Sequence, residues 1–378
     1  MNSKKTAIHI CHMTSVHPAT DVRIFKKECH SLAKAGYNVS LIAPEGKSEN
    51  KEGVRIVGIH PSKRGPLFRM IVDPWKVLQV SLKEDAHVYH FHDPELLGAG
   101  LLLKLLAKKA VIYDVHEDYS LSIQTKTWLP RWARKPLSWI IKYFENFSAK
   151  YFNCILSATP AIAKRFDSIS KNSIIVQNFP LLDEFSQKGV SWQERHNAVI
   201  YVGAIHTFRG IKEMINALEI AQKKTDAKLI LAGSFYPKSL KKEIQAHLGW
   251  KHVEYKGVVP HKELASLLAQ AKAGLVLIHP VTRYRTSYPT KLFEYMAGGI
   301  PVIASDFVLW REIIEGTGCG LLVDPLDSQA IADSIVYLLE HPKEAAEMGR
   351  RGKKAVEEMY NWSKEERKLL QLYKDLFE

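Results

Sequence analysis

The chain of 378 residues is poor in cysteine. Cys11, Cys29, Cys154 and Cys319 lie far apart, and no Cys-x-x-Cys occurs. This argues against a disulfide-framed secreted scaffold and a zinc ribbon, and reads as reduced, structural thiols. Long apolar runs are also missing. The longest, Leu96 to Leu106, is broken by Lys104 and falls well short of the roughly 20 residues a membrane-spanning helix needs. MNSKK passes directly into TAIHICHM, without an apolar leader core or a small-residue cleavage site, so no secretory signal is expected. There is no Gly-x-Gly-x-x-Gly dinucleotide loop. There is no Asp-x-Asp either, so a diphosphate bridged by a metal on paired aspartates is not expected. Acidic charge is scarce in the first half: residues 1–182 carry 26 Lys and Arg against 15 Asp and Glu. Such an excess suggests an anionic partner. No nucleic-acid-binding motif accompanies it, so nucleic acid is not favoured.

What is present is a rhythm. Continuous β-branched runs at 7–13, 38–44, 54–60, 86–92, 110–116, 153–158 and 173–178 alternate with helical patterns. Strands without polar alternation are those buried on both faces of a parallel sheet. DVRIFKKECHSLAKAG reads as a helix capped by Asp21 and closed by Gly36. In 137–151, Leu137, Ile140, Phe144, Phe147 and Tyr151 recur at helical spacing, which predicts a core-facing stripe. After a polar seam at 179–197 the rhythm restarts, with strands at 198–204, 227–233, 252–257, 273–279, 300–305 and 320–325. The fold expected is α/β, two tandem Rossmann-like doubly wound domains facing across a cleft. Their bounds are 1–182 and 183–361, with a closing helix at 362–378 packing back on the first. Ligands in such sheets sit beyond the C-terminal strand ends.

The motifs fall at those ends. YVGAIHTFRG (201–210) places Gly203 and Arg209 before a helix, where amides and a cation suit a diphosphate. SYPTKLFEYMAGG (287–299) leads a loop into a short apolar helix carrying Lys291 and Glu294. Lys291 adds charge for the phosphates, and Glu294 is suited to the two ribose hydroxyls. The alternative is a Lys291–Glu294 surface pair, which is disfavoured because Glu294 lies between Phe293 and Tyr295 in an otherwise apolar segment. His116 follows the strand 110–116, and His90, His92 and Asp93 lie at the end of 86–92. A histidine there can serve a reacting hydroxyl. His-x-His-Asp could hold a metal, but no further ligand cluster is evident, so no metal site is expected.

YVGAIHTFRG, PTKLFEYMAGGIPVIASD, GLLVDPLDSQAIADSI and WSKEERKLLQLYKDLF together resemble glycosyltransferase family 4 of the GT-B fold. The resemblance covers nearly the whole chain. It implies a retaining, metal-independent enzyme without cofactor that takes a nucleoside-diphosphate sugar, UDP-sugars among the candidates. It also implies that the second domain binds the donor and the first faces the acceptor. By resemblance Glu294 holds the ribose, Arg209 meets the diphosphate and His116 lies near the transferred sugar. The donor set becomes Gly203, Arg209, Thr286, Ser287, Thr290, Lys291, Leu292 and Glu294, with His116, Arg209 and Lys291 as catalytic candidates. HPATDVR resembles members whose first loop reads His-Pro-x-x-Asp-x-Arg, which adds Asp21 and Arg23 to His92 and Asp93 on the acceptor side. Two positions depart from the pattern. Ala204 stands where the family has a basic residue, and Thr286 where it has the first acid of a Glu-x7-Glu pair. Lys291 is expected to supply the charge lost at Ala204.

Trp128, Arg131, Trp132, Arg134 and Lys135 mix tryptophan with cations, as suits an anionic membrane surface. PSKRGPLFRMIVDPWK (61–76) has similar chemistry. The sequence therefore leads to transfer of a hexose or N-acetylhexosamine to a lipid-linked or polysaccharide acceptor in cell-envelope glycan synthesis. The setting expected is the cytoplasmic, inner face of the plasma membrane, with the enzyme peripheral. A nucleotide-sugar 2-epimerase and a degenerate, sugar-nucleotide-binding accessory subunit are the alternatives.

Overall fold

The computed structural model describes residues 8–378 apart from 46, 63, 64, 127, 128 and 186–190, and without the side chains of 66 and 67. The chain divides into two compact units, Met1–Asn178 with Ser363–Glu378, and Phe179–Trp362. The division falls four residues before the expected 182/183 boundary. Pro180 is already tied to the second unit, its carbonyl accepting from the Trp362 amide at 2.9 Å.

The first unit is built on strands β1 (His9–Met13), β2 (Asn38–Ala43), β3 (Glu49–Lys51), β4 (Val54–Gly58), β5 (Val88–Phe91), β6 (Ala110–Val115), β7 (Cys154–Ser157) and β8 (Ser173–Ile175). Their order is β3-β4-β2-β1-β5-β6-β7-β8. Every pairing is parallel except β3 with β4. β3 was not expected from the sequence: Glu-Asn-Lys is a short polar edge strand with no apolar signal. The second unit holds β9 (Ala198–Val202), β10 (Lys228–Ala232), β11 (Val253–Gly257), β12 (Ala273–Val276), β13 (Val302–Ser305) and β14 (Gly320–Val323). All are parallel, in the order β11-β10-β9-β12-β13-β14. Strand order reverses direction between β1 and β5 in one sheet and between β9 and β12 in the other. These are the switch points at which doubly wound sheets open a crevice.

Helices cover both faces because the strands are apolar on both. Ile200, Ile230, Val276 and Val302 pack on one face of the second sheet, and Val199, Leu229, Leu275 and Ile303 on the other. Asp21 caps its helix as expected, accepting from the amides of Arg23 and Ile24. The following turns, Val22–Cys29, are wound as a π-helix.

One expectation is overturned. On the helix Arg131–Ala149 the stripe of Ile140, Phe144 and Phe147, with Tyr151 just beyond it, is exposed rather than core-facing. Ser138, Glu145, Ser148 and Ala149 face inward instead. Their polar groups are satisfied by Ser138 donating to the Ser120 carbonyl at 2.7 Å and by Glu145 accepting from Tyr113 at 2.7 Å and from Arg165. Among the described residues no helix is long and apolar enough to cross a membrane.

Candidate active site

In the second unit a concave site of about 240 Å³ opens beyond β9 and β11. Gly203, Arg209, His261, Thr290, Lys291 and Glu294 line it, together with Val202, Val259, Pro260 and Leu264. Gly203 follows β9 at φ +127, a conformation that disfavours a side chain. A Cβ there would stand 3.0 Å from Lys291 Nζ and 3.8 Å from Arg209 Nη1. Glycine thus lets two cations converge on one strand end. Gly210, at φ +71, caps the helix Ile211–Ala221 and lets the turn bearing Arg209 lie against the Leu277 carbonyl.

Lys291 sits in the first turn of the helix Thr290–Ala297 and is only 6% exposed. It does not pair with Glu294 as a surface ion pair. Its ammonium donates to the Tyr201 hydroxyl at 3.2 Å and lies 4.2 Å from the centre of that ring. Burial first, and then the Arg209 charge, bring its pKa down to about 7. A buried cation with no hydrogen-bonded carboxylate is costly and ready for an anion. Glu294 faces His261, 3.9 Å away, whose other ring nitrogen is 3.3 Å from Glu184. The two carboxylates raise the His261 pKa to about 9 against the pull of burial. His261 is therefore a cation near neutral pH that draws Glu294 toward the site.

The other expected donor residues fall elsewhere. Thr286 is exposed and outside the cavity lining, and Ser287 donates to the Tyr284 carbonyl at 3.3 Å. Leu292 is fully buried in the core, so its side chain is packing rather than contact surface. Tyr201, Val259, Pro260 and His261 were missed by sequence reasoning. The signal available was Val-Val-Pro-His directly after the strand at 252–257, at a strand end like the others.

In the first unit a cavity of about 220 Å³ is lined by His17, Arg69, His92, Asp93, His116 and Lys126, among others. His116 Nε2 lies 2.8 Å from Asp114 Oδ2. Asp114 is fully buried, and Arg23 grips it twice, Nη2 to Oδ1 at 2.8 Å and Nε to Oδ2 at 3.0 Å. Burial alone would raise the Asp114 pKa, but Arg23 and then His116 hold it well below the carboxylate range. Asp93 accepts from Thr14 Oγ1 and the Ser15 amide, both at 2.7 Å, and stands 3.5 Å from His17. Asp21 caps its helix and faces His17 at 3.4 Å. Arg23, expected on the acceptor side, is instead a buried framework residue: it is 4% exposed and its guanidinium is spent on Asp114. Burial holds His12 and His90 well below the ordinary histidine value, and it is the largest influence bringing His92 to about 4.

On the membrane-contact candidates, Trp132 is 82% exposed. Trp139, Ile140 and Tyr143 stand at 76%, 62% and 71% on the same helix. Arg131 and Lys135 are exposed beside them, whereas Arg134 donates to the Leu129 carbonyl at 3.0 Å. Trp128 lies outside the described residues, as do Lys63 and Arg64 of the other basic stretch.

Two doubly wound sheets, each with a cavity holding charged side chains beyond its strand ends, make a two-domain α/β protein with a candidate site in each unit. Comparison with known proteins agrees. Residues 183–355 match the family described as glycosyl transferases group 1, and residues 23–176 match glycosyltransferase family 4. The chain belongs to these GT-B glycosyltransferases and is a transferase. It is 24% identical over 280 residues to the MMP alpha-(1->4)-mannosyltransferase of Mycolicibacterium hassiacum, a match spanning 72% of this chain and 66% of that protein. It is 22% identical over 363 residues to the phosphatidyl-myo-inositol mannosyltransferase of Mycolicibacterium smegmatis, covering 90% of this chain and 86% of that one. The fold of a sucrose-phosphate synthase from Thermosynechococcus elongatus superposes with a TM-score of 0.80 at 20% identity, over 98% and 99% of the two chains.

Proposed function

We propose that this glycosyltransferase moves a hexose or N-acetylhexosamine, with retention, from a nucleoside diphosphate to a lipid-linked or polysaccharide acceptor of the cell envelope. The observation that carries the reading is the joint lining of one cavity by Arg209, Lys291 and Glu294. The two cations and the amides opening the helix Thr290–Ala297 meet the diphosphate, and Glu294 receives the ribose hydroxyls. Preorganised positive charge lowers the barrier as negative charge grows on the leaving group. The sugar C1–O bond breaks with its electron pair going to the diphosphate. The acceptor oxygen bonds C1 on the same face, and its proton passes to the departing phosphate oxygen. His116, oriented by Asp114, steadies the sugar as it gains positive character. In this reading the transfer uses no metal, because Arg209 and Lys291 supply the charge. The mannosyltransferase relatives favour a hexose donor.

Thermal unfolding with UDP, GDP, ADP, dTDP and CMP in parallel tests the donor site. One diphosphate is expected to stabilise the protein. Glu294→Ala is expected to weaken that nucleotide by about 10–100-fold, the worth of hydrogen bonds to a charged group. Unchanged affinity in the variant would remove Glu294 from the ribose.

The acceptor reading rests on the outward aromatic face of Arg131–Ala149 with its exposed cations. It supports a peripheral enzyme on an anionic membrane surface; the cytoplasmic face is proposed with it. Sedimentation with vesicles is expected to show binding to phosphatidylglycerol-containing lipid, release in high salt, and little binding to neutral lipid. The double change Trp132→Ser, Trp139→Ser is expected to cut partitioning at least tenfold, about 1.4 kcal/mol. Equal partitioning by the variant would leave the face without this role.

A further inference from the structure

Behind His116 lies a cluster that the transfer does not use. His12 and His90 are register partners on the paired strands β1 and β5, at the first sheet's switch point. Glu28 reaches them from the helix Val22–Cys29. All three are fully buried. One ligand-capable atom from each, with one from His92, lie within 4.8 Å of one another.

The tautomers of this cluster can be followed from one end. Asp114, ionised against Arg23, only accepts, which favours a proton on His92 Nδ1, 3.1 Å away, over acceptance there from His116 Nε2 at 3.2 Å. His92 Nε2 is then bare, and His12 Nδ1, 3.0 Å from it, must carry the next proton. That leaves His12 Nε2 as a lone pair. His90 Nδ1 stands 2.8 Å from the Tyr373 hydroxyl, and in the tautomer that donates to that oxygen His90 Nε2 is bare as well. His12 Nε2, His90 Nε2 and Glu28 Oε2 are buried without a hydrogen-bond partner among the described residues, while Glu28 Oε1 is ion-paired with Arg23 Nε at 3.0 Å. Three acceptors are thus gathered in one place without a donor, and the one unmet donor beside them, Arg23 Nη1, belongs to the guanidinium that already pairs with Glu28. An acceptor left unmet in the interior is destabilising. A water has two protons to give, too few for all of them; a cation meets them together.

We propose that His12 Nε2, His90 Nε2 and the Glu28 carboxylate form a structural site for a divalent transition-metal cation of the zinc type. Two imidazoles and one carboxylate suit zinc, whereas magnesium and calcium prefer oxygen alone. The outer partners are those a metal-bound histidine needs: His92 and Asp114 behind His12, and Tyr373 behind His90. Glu28 Oε1 is 3.0 Å from Arg23 Nε, which leaves Oε2, 3.9 Å from His90 Nε2, for the ion. Bonds of about 2.0 Å in a tetrahedron set ligands about 3.3 Å apart, so binding would draw the cluster inward. The ion would brace β1, β5, the helix Val22–Cys29 and the helix bearing Tyr373, without touching the diphosphate.

The test uses the full chain, stripped with a chelator, exchanged into buffer and titrated with Zn²⁺ and with Co²⁺. Wild type is expected to retain about one equivalent of zinc by elemental analysis, to unfold at higher temperature when loaded, and to show visible Co²⁺ bands of low coordination number. His90→Gln and Glu28→Gln are each expected to weaken uptake at least tenfold. His92, Asp114 and His116 form a competing ligand group, so His116→Gln is the control and is expected to keep the ion. No uptake by wild type, in which case water fills the cluster, would overturn the proposal. So would uptake retained in His90→Gln, or lost in His116→Gln alone. If the core variants fail to fold, the wild-type Co²⁺ spectrum decides: bands of a six-coordinate aquo type, or none, reject the site.

Discussion

Replacing Lys291 by methionine is expected to cut transfer by about 10²–10³-fold, the usual loss when one preorganised charge-stabilising donor is removed, and yet to make the ligand-free protein more stable. The two effects share a cause. The ammonium is 6% exposed and hydrogen-bonded to a phenol rather than to a carboxylate. Relief of that burial is worth about 1–3 kcal/mol, and the lost contact with the Tyr201 ring offsets up to about 2 kcal/mol of it. The net gain is on the order of 1 kcal/mol, a few degrees for a unit of this size. The sign with pH follows from linkage. The folded pKa is about 7 against about 10.4 in the unfolded chain. Between those values the unfolded state binds more protons, so wild-type stability gains with rising pH from this group. The penalty is therefore full below pH 7 and gone above the unfolded value. The advantage of the variant should be largest at pH 6 and should vanish near pH 10. Calorimetry across that range checks it. A variant that melts lower at pH 6, or that still binds the diphosphate normally, would mean that Lys291 is held for packing.

How much of this the sequence disclosed depended on where the controlling contacts lie. The strands were legible because continuous β-branched runs have few other uses, and β3 was not because Glu-Asn-Lys carries no such signal. Gly203, Arg209, Lys291 and Glu294 were found through one rule, that chemistry collects at strand ends. His261 and Tyr201 escaped because their meaning is tertiary: each matters only through the residue that it touches. The helix Arg131–Ala149 was misread for a related reason. Periodicity reveals an apolar stripe but not what covers it, and here small and polar residues, bonded by Tyr113 and Arg165, turn inward in its place. Arg23 was misplaced because an arginine in a polar loop motif looks like contact surface. Its burial follows from Asp114, distant in sequence.

Replacing Arg23 by methionine is the change expected to cost the first unit most, about 3–5 kcal/mol, because breaking a buried ion pair leaves its partner uncompensated. Asp114, gripped at 2.8 and 3.0 Å, is the carboxylate left without its partner; Glu28, whose Oε1 is 3.0 Å from the same Nε, has its pKa pushed well above the usual value by burial and then by Asp114. Arg23→Lys should recover little, since one ammonium cannot reproduce two coplanar donors. Asp114 has a depressed folded pKa. Its stabilisation is therefore present above the unfolded carboxylate value of about 3.9 and lost as pH falls through the folded one. In the variant that contribution is missing, so the difference from wild type should be full at pH 7 and should shrink as acid protonates the orphaned carboxylate. Hydrogen exchange read by mass spectrometry resolves the effect, because it reports β1, β5 and β6 separately from the second unit. Protection there should fall by about 10²–10³-fold at pH 7, the equivalent of that free energy, while β9 to β13 keep theirs. A uniform loss across both sheets, or none in β6, would show that the grip on Asp114 is not what holds the histidine cluster in place. The same variant frees Asp114 to turn, so His116 loses its fixed tautomer, and transfer should fall even at temperatures where the protein remains folded.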